Sequence, residues 1–375
     1  MEQTHSVSAG SVNLSDTTVN PADVARILGS AITRKEALDR IRKDADAYMS
    51  FSGFPGEEQE KILDFIRGNR GLPILYDSFF KRIMNPDTHP ERLEQFLSAL
   101  LEQPVRIRSV LPVEGTKLSD GGSLVIMDIL MELSDGTIVD VEMQKIGYAF
   151  PGERSSCYLS DFIMRQYNRV RSERRHLFSF RDLKPVWLII LMENSSGEFR
   201  AAAPHYIHRS SMVFDSGAKV RSLEHIVYIS LDTFHEVVHN IDKELDAWMT
   251  FLSSDRPADI VRLVQAYPQF AECYQDIVDF RRHPKELIGM YSEALAIMDR
   301  NTVLYMCDEQ KKEIEARGKE IEARKEEIEE LTQQLHSAAA ENERKDAAIS
   351  EKDAALSEKD ALIAALQEEI RRLNQ

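Results

Sequence analysis

The most regular alternation of apolar and polar residues lies between residues 123 and 144, and it predicts two β-strands joined by a tight turn. Residues 134–136, Ser-Asp-Gly, suit a three-residue hairpin loop, because glycine readily adopts a positive φ. Closing the hairpin there places Asp128 directly opposite Glu142. The polar residues of the second strand are expected to face away from the core: Asp140, Glu142 and Gln144.

Two opposed carboxylates define the candidate chemistry. Directly opposed residues of an antiparallel pair have Cβ atoms about 4.5 to 5.5 Å apart. Carboxylates that close repel each other unless a proton or a cation lies between them. A hard divalent cation suits Asp128 and Glu142, because Mg²⁺ is usually held by one or two carboxylates and water. The alternative is that both residues belong to the solvated face of an ordinary hairpin.

Helical periodicity dominates the chain before the hairpin and again after residue 234. One short amphipathic helix reads YDSFFKRIMN, and another, at residues 90–101, starts with Pro90 in its first turn. Residues 105–113 predict the strand that leads into the hairpin, and a helix is expected over 153–175.

The apolar run PVWLIILM, residues 185–192, predicts a strand covered on both faces. Two further strands are expected at residues 212–214 and 225–231. Helix, strand, hairpin, helix and buried strand in this order indicate an α/β sandwich. We therefore divide the chain into five segments: a disordered N-terminus (1–20), N-terminal helices (21–104), an α/β core (105–232), a helical domain (233–307) and a tail (308–375).

The tail carries a seven-residue repeat from Ile314 to Ile370, in which one apolar position recurs without a slip except at Asn342. The second position of a coiled-coil seam is mixed, since it holds leucine and alanine but also lysine and arginine. This pattern predicts an imperfect coiled coil that joins two copies of the chain, and Asn342 favours a parallel dimer. The alternative is a single charged helix stabilised by ion pairs along its own surface.

Composition narrows the class of protein. The 375 residues carry a formal net charge of −16, which excludes nucleic-acid binding through overall charge but leaves room for a local basic patch. The three cysteines have no metal-ligand spacing and fit a reducing compartment. The first residues lack a signal peptide's pattern, and residues 186–192 are too few to span a bilayer. We expect a cytoplasmic protein without a membrane segment.

Four features in this order resemble the PD-(D/E)XK nuclease family transposases, relatives of the bacterial recombination-promoting nucleases. They are the stretch YDSFFKRIM, the hairpin with Asp128 and E-M-Q (142–144), the helix with Arg154, Tyr158 and Gln166, and the strand VWLIIL. The resemblance covers roughly residues 40 to 305. It implies a restriction-endonuclease-like αβββαβ core and a DNA endonuclease dependent on Mg²⁺ or Mn²⁺.

By that resemblance Asp128 and Glu142 are the metal ligands, and Gln144 takes the third catalytic position, which holds lysine in most of the wider superfamily. A neutral amide can orient a water molecule but cannot polarise it by charge. A further acid is expected from the preceding helices, and the candidates are Asp77 and Glu94. Asp77 could instead cap its helix, and Glu94 could lie on a solvated helix face.

A basic, partly aromatic segment follows the hairpin and is the candidate DNA contact. The residues assigned to it are Arg154, Arg165, Arg169, Arg171, Arg174 and Arg175. The alternative is a solvated, arginine-rich helix face. Two functions therefore remain: a metal-dependent DNA endonuclease that dimerises through its tail, and a catalytically inactive relative that acts as a DNA-binding or coiled-coil interaction protein.

Overall fold

A computed structural model describes residues 12–13, 19–72, 74–112, 128–146, 152–238 and 240–373. The predicted disorder of residues 1–20 falls almost entirely outside this range. Contacts within the chain divide it into one unit from Met1 to Tyr305 and a second from Met306 to Gln375. No helix within the described ranges is long and apolar enough to cross a membrane.

The helices form where sequence periodicity predicts them. Pro90 opens its helix as expected, and Thr33 and Glu36 form a reciprocal capping box at the start of another. The helices are α1 (Pro21–Leu28), α2 (Arg34–Ile41), α3 (Ala45–Gly53), α4 (Gly56–Arg67), α5 (Asp77–Ile83), α6 (Pro90–Leu101), α7 (Gly152–Arg174), α8 (Gly197–Arg200), α9 (Leu231–Val237), α10 (Glu244–Ser253), α11 (Pro257–Ala266), α12 (Phe270–Asp279) and α13 (Pro284–Leu373).

The strands form a mixed six-stranded sheet and a separate two-stranded pair. They are β1 (Val12–Asn13), β2 (Ile107–Val110), β3 (Ile129–Leu133), β4 (Ile138–Ile146), β5 (Val186–Asn194), β6 (Ile207–Arg209), β7 (Glu224–Ser230) and β8 (Asn240–Ile241). The large sheet has the order β2-β3-β4-β5-β7-β6, with β4, β5 and β7 parallel to one another. The short strands β1 and β8 pair with each other. The chain is therefore an α/β protein, and β5 is a central strand as predicted.

Both faces of the large sheet are covered. On one face Met131, Val141 and Leu191 belong to a large core with the N-terminal and C-terminal helices of the first unit. On the other face Leu130 and Ile190 pack beneath α7, which contributes Tyr158, Leu159 and Phe162 to a smaller core. The polar residues expected to point away from the core therefore lie under a helix, and that part of the prediction is wrong.

The hairpin has the predicted register. Ile129 lies opposite Val141, and the Leu133 N–H donates to the Thr137 carbonyl at 2.8 Å. Gly136 adopts φ +88°, the conformation for which a glycine was expected. A slip of one residue would turn every side chain of the strand to the opposite face. The register is thus what brings Asp128 and Glu142 together.

One predicted strand is absent: residues 212–214 are an exposed part of the loop between β6 and β7. The edge strand lies earlier, at Ile207–Arg209, where Ile207 pairs with Ile229. Met212, Val213 and Phe214 are apolar but are followed at once by a turn at Asp215 and Gly217. Apolar composition alone did not distinguish this loop from a strand.

The second unit is helical throughout its described part. The apolar positions of the seven-residue repeat are exposed along the helix; for example, Ile314 is 70%, Ile328 61% and Leu335 72% exposed. Helix α13 begins at Pro284, so the helix that contains the repeat starts within the first unit.

Candidate active site

Asp128 and Glu142 hold each other's strand in place through main-chain hydrogen bonds. The Asp128 N–H donates to Glu142 Oε1 at 3.0 Å, and the Met143 N–H donates to Asp128 Oδ2 at 2.8 Å. Glu142 is 1% exposed, and the Asp128 side chain is 12% exposed. Each carboxylate therefore has a fixed position at the end of the hairpin remote from its turn.

A lysine from helix α5 reaches this pair. Lys81 Nζ lies 3.1 Å from Asp128 Oδ1, and its side chain remains 36% exposed. Phe79 and Phe80, just before it, are fully buried and anchor the helix against the sheet. The ammonium group of Lys81 is thus held beside Asp128 and remains partly accessible to solvent.

Asp140 is a third carboxylate on the same face of β4, two residues before Glu142. It is 0% exposed, and neither of its oxygens accepts a hydrogen bond from a donor in the described part of the chain. Burial, and then the charge of Asp128, raise the pKa of Asp140 well above its ordinary value. Burial and the neighbouring Asp140 charge likewise raise the pKa of Glu142. These two carboxyls therefore retain protons more readily than exposed ones, and a shared proton would let them hydrogen-bond to each other.

Two polar groups complete the surroundings of Glu142. Gln144 is 8% exposed, and its Nε2 donates to Glu142 Oε2 at 3.3 Å. The positive charge of Arg154, on α7, opposes the rise in the Glu142 pKa. Arg154 Nη2 donates to the Tyr158 hydroxyl at 2.8 Å, and burial followed by the Glu142 charge raises the pKa of Tyr158. The site thus combines three carboxyl groups with two positively charged side chains, Lys81 and Arg154, and the amide of Gln144.

A family model described as PD-(D/E)XK nuclease family transposase matches residues 74–307. The chain belongs to this family. No curated protein and no solved structure gives a significant match. Membership supports a nuclease-like or transposase-like function with DNA as the substrate, and nucleases of this family typically use divalent metals such as Mg²⁺.

The acids expected from the preceding helices are placed differently from one another. Glu94 accepts hydrogen bonds from the Ile107 N–H at 2.9 Å and from Arg106 Nη1 at 2.6 Å, so it secures the start of β2. Asp77 begins helix α5 one turn before Lys81, and its side chain lies outside the described atoms. Gln166, part of the family pattern, donates to the Gly136 carbonyl at 3.0 Å and therefore supports the hairpin turn.

The predicted DNA-binding arginines of this family member spread along α7. Arg154 lies beside the carboxylates, whereas Arg171 is 17 residues further on, about 25 Å away at the rise of an α-helix. Several of the others are engaged with acids: Arg165 with Asp161, Arg169 with Glu132, and Arg174 with Asp182. Arg175 is exposed at the end of the helix.

The donor set fits a hard divalent cation. Every candidate ligand is a carboxylate oxygen, and the Asp140 oxygens lack hydrogen-bond donors within the described ranges. Across the same ranges no group of three or more His, Cys, Asp or Glu is arranged to hold a metal. A cation here would therefore be held by two carboxylates with water completing its shell, as is usual for Mg²⁺.

Proposed function

We propose that this protein is a Mg²⁺-dependent DNA endonuclease, also able to use Mn²⁺, that hydrolyses DNA phosphodiesters in recombination or mobile-element processes in the cytoplasm. The observation that carries the proposal is the opposition of Asp128 and Glu142, both largely buried, with Lys81 Nζ 3.1 Å from Asp128. Buried like charges are costly unless they serve a cation or share a proton. Residues 105–232 would form the restriction-endonuclease-like αβββαβ core, and residues 233–307 a helical domain.

Asp128 and Glu142 would hold the cation, which when bound would neutralise phosphate charge and make a water molecule more acidic. Gln144, through its hydrogen bond to Glu142, orients that carboxylate. Ionisation of Asp140, which burial opposes, would add negative charge behind Glu142 and so strengthen the hold of the site on a cation. Asp77, one turn before Lys81 on α5, remains a candidate further acid, whereas Glu94 secures β2.

Lys81 would take over the electrostatic role of the lysine that Gln144 replaces. Its ammonium group lies beside Asp128 and is partly exposed, so it can approach a phosphate oxygen. A fixed positive charge stabilises the negative charge that develops during phosphodiester hydrolysis. The positive charge that a lysine at position 144 would provide is therefore supplied by Lys81 on helix α5, some sixty residues earlier in the chain.

Cleavage of supercoiled plasmid DNA, with Mg²⁺ and with EDTA, tests the proposal. Asp128→Ala and Glu142→Ala should each lower the rate by about 10³-fold or more, because removing a ligand forfeits several kcal/mol of charge stabilisation. Glu224→Gln, an exposed carboxylate on β7, is the matched control and should cut like the parent. Equal cutting by both alanine variants would place the active site elsewhere. A parent that binds DNA but never cuts it would favour the inactive relative, for which Gln144 is the motivating observation.

The tail would join two copies as a parallel coiled coil. Its repeat exposes isoleucine and leucine at one helix position over residues 314–370, and a single helix cannot bury such a strip. Analytical ultracentrifugation of the full chain should therefore detect a dimer. A chain ending at residue 307, and the full chain with Ile328→Lys and Leu335→Lys, should sediment as monomers.

Gln333→Lys places a lysine on the opposite side of the helix and should leave the dimer intact. A parent chain that stays monomeric at tens of micromolar (about the weakest useful dimer affinity) would contradict the coiled coil.

A further inference from the structure

Three aromatic rings form a cluster on the surface beside the C-terminal end of α7. The rings of Tyr167 and Phe180 are nearly parallel, 14° apart, with centroids 6.1 Å apart. Phe178 stands edge-on to both, with centroid distances of 5.4 and 5.3 Å. Phe180 is 73% exposed, an unusual position for so large an apolar side chain. We call Tyr167, Phe178 and Phe180 the aromatic platform.

Local hydrogen bonds hold the platform in a defined shape. Ser179 and Asp182 form a reciprocal capping box around the turn that carries Phe180. Arg174 Nη1 donates to Asp182 Oδ1 at 3.1 Å and so ties this turn to helix α7. The exposed ring is therefore presented by a fixed turn, and a ligand that covers it loses little entropy in ordering it.

The platform lies within strongly positive sequence. Residues 165–184 contain seven arginines and lysines but only two acids, Glu173 and Asp182, in a chain with a net charge of −16. The Arg171 guanidinium lies 5.4 Å from the centre of the Tyr167 ring. Such a surface favours a ligand that is both negatively charged and flat.

We propose that the aromatic platform stacks against unpaired bases of DNA while the surrounding arginines contact its phosphates. The inference rests on the proposed DNA endonuclease function and specifies its substrate: DNA with a single-stranded segment. In an intact duplex each base is covered on both faces by its neighbours, so an exposed phenyl ring finds a free base face only where pairing is interrupted. An acidic protein partner would satisfy the charges but offers few flat faces to match the ring.

The position of the platform relative to the carboxylates sets the length of DNA involved. Arg154 is beside Glu142, and Tyr167 and Arg171 are 13 and 17 residues further along α7, about 20 to 25 Å away. At about 3.4 Å per nucleotide step, this distance corresponds to roughly six or seven nucleotides. The unpaired bases would therefore lie that far from the phosphate at the carboxylates.

Fluorescence anisotropy with the full chain in EDTA tests the inference without requiring cleavage. The probes are a labelled single strand, a blunt duplex of the same sequence, and that duplex with a single-stranded overhang. Phe180→Ala should weaken binding to the single strand and the overhang by about 5- to 150-fold, the range for loss of one base-stacking ring. Binding to the blunt duplex should stay within about twofold.

Leu177→Ala is the matched control, because Leu177 directly precedes Phe178 in the chain and is also 73% exposed but has no ring. It should bind all three probes like the parent, and Phe180→Trp should retain the preference for unpaired DNA. The inference would be overturned if the Phe180→Ala variant bound the probes as the parent does, or if its affinity fell equally for all three probes. Phe180-dependent binding of polyglutamate in place of DNA would also overturn it. A protein that passes these tests yet never cuts would contradict only the proposed nuclease activity.

Discussion

The two ends of helix α7 lie in opposite surroundings: strand β4 places buried acids beside the N-terminal end, and the C-terminal end carries exposed arginines. At its N-terminal end the acids Asp140 and Glu142 are at most 1% exposed, and burial raises the pKa of both. At its C-terminal end Arg171 and Arg175 are exposed to solvent. Burial makes a charge costly and a counter-ion valuable, whereas exposure leaves a charge hydrated and screened. One end is therefore suited to holding a cation and the other to binding a polyanion.

The two ends also differ in what fixes their geometry. The carboxylates depend on strand register, since across the hairpin the Asp128 N–H donates to Glu142 at 3.0 Å and the Met143 N–H donates to Asp128 at 2.8 Å. The aromatic and basic surface depends on local bonds, such as the capping box of Ser179 and Asp182. Single substitutions should thus have large effects at the first end. Effects at the second end should accumulate over several residues.

After loss of a carboxylate ligand, exchange of the positive charge near the carboxylates should have the largest effect. Lys81→Met should lower the cleavage rate by about 10²- to 10³-fold, because it removes a fixed charge 3.1 Å from Asp128. Adding Gln144→Lys to Lys81→Met should raise the cleavage rate at least about tenfold, since Gln144 Nε2 lies 3.3 Å from Glu142 Oε2 and a lysine there would bring a positive charge to the same carboxylates. Single-turnover cleavage of a labelled duplex measures both changes.

Lys81→Arg serves as the control, because it keeps the charge at the same helix position and should cut better than Lys81→Met. DNA affinity, measured separately, should change little if Lys81 acts on the reaction and not on binding. Parent-level cleavage by Lys81→Met would show that the charge beside Asp128 has no part in catalysis.

Charge reversal at the other end should have a smaller effect that extends to every DNA sequence. Replacing Arg171, Arg174 and Arg175 by Glu should weaken binding roughly 10- to 100-fold at moderate salt. It should also reduce the slope of log affinity against log salt by about 3, since each lost phosphate contact removes about 0.9 from the slope. Titrations at several salt concentrations give both quantities.

An equal change in net charge elsewhere provides the control. Arg26, Arg42 and Arg282 are exposed and lie outside α7. Their replacement by Glu should alter binding far less than the α7 triple. A salt slope that is the same for the α7 triple and for the parent would show that the end of α7 does not contact DNA.

The sequence predicted the hairpin well because its determinants are local. Alternating polarity and a glycine at position 136 were sufficient to place Asp128 opposite Glu142, and the register confirms it. Lys81 could not be assigned in the same way, because it reaches Asp128 only when the buried Phe79 and Phe80 dock α5 on the sheet. Contacts so distant in sequence leave no periodic signal.

Burial of the polar strand face could not be predicted either. Alternation shows that Asp140 shares a face with Glu142, but it does not show whether water or a helix covers that face. Helix α7 covers the face with Tyr158, Leu159 and Phe162. The apolar residues of this helix can be recognised in the sequence, but the surface against which they pack cannot. The alternation thus predicts only that Asp140 faces away from the core, although its 0% exposure makes it the most deeply buried acid near the site.

The smallest expected effect concerns the stability of this buried acid. A carboxyl whose pKa is raised on folding binds protons more tightly in the folded state. Its contribution to stability is therefore most favourable at pH values below the ordinary carboxyl pKa, and it is lost as pH rises toward the raised pKa. Asp140→Asn removes the cost of ionising this buried carboxyl at high pH. In EDTA it should increase the free energy of unfolding by about 1 to 2 kcal/mol at pH 8 and by much less near pH 5. Urea denaturation at both pH values measures the difference, with the exposed Asp215→Asn as control. Equal effects of Asp140→Asn at pH 5 and pH 8 would show that the folded protein does not hold this carboxyl protonated.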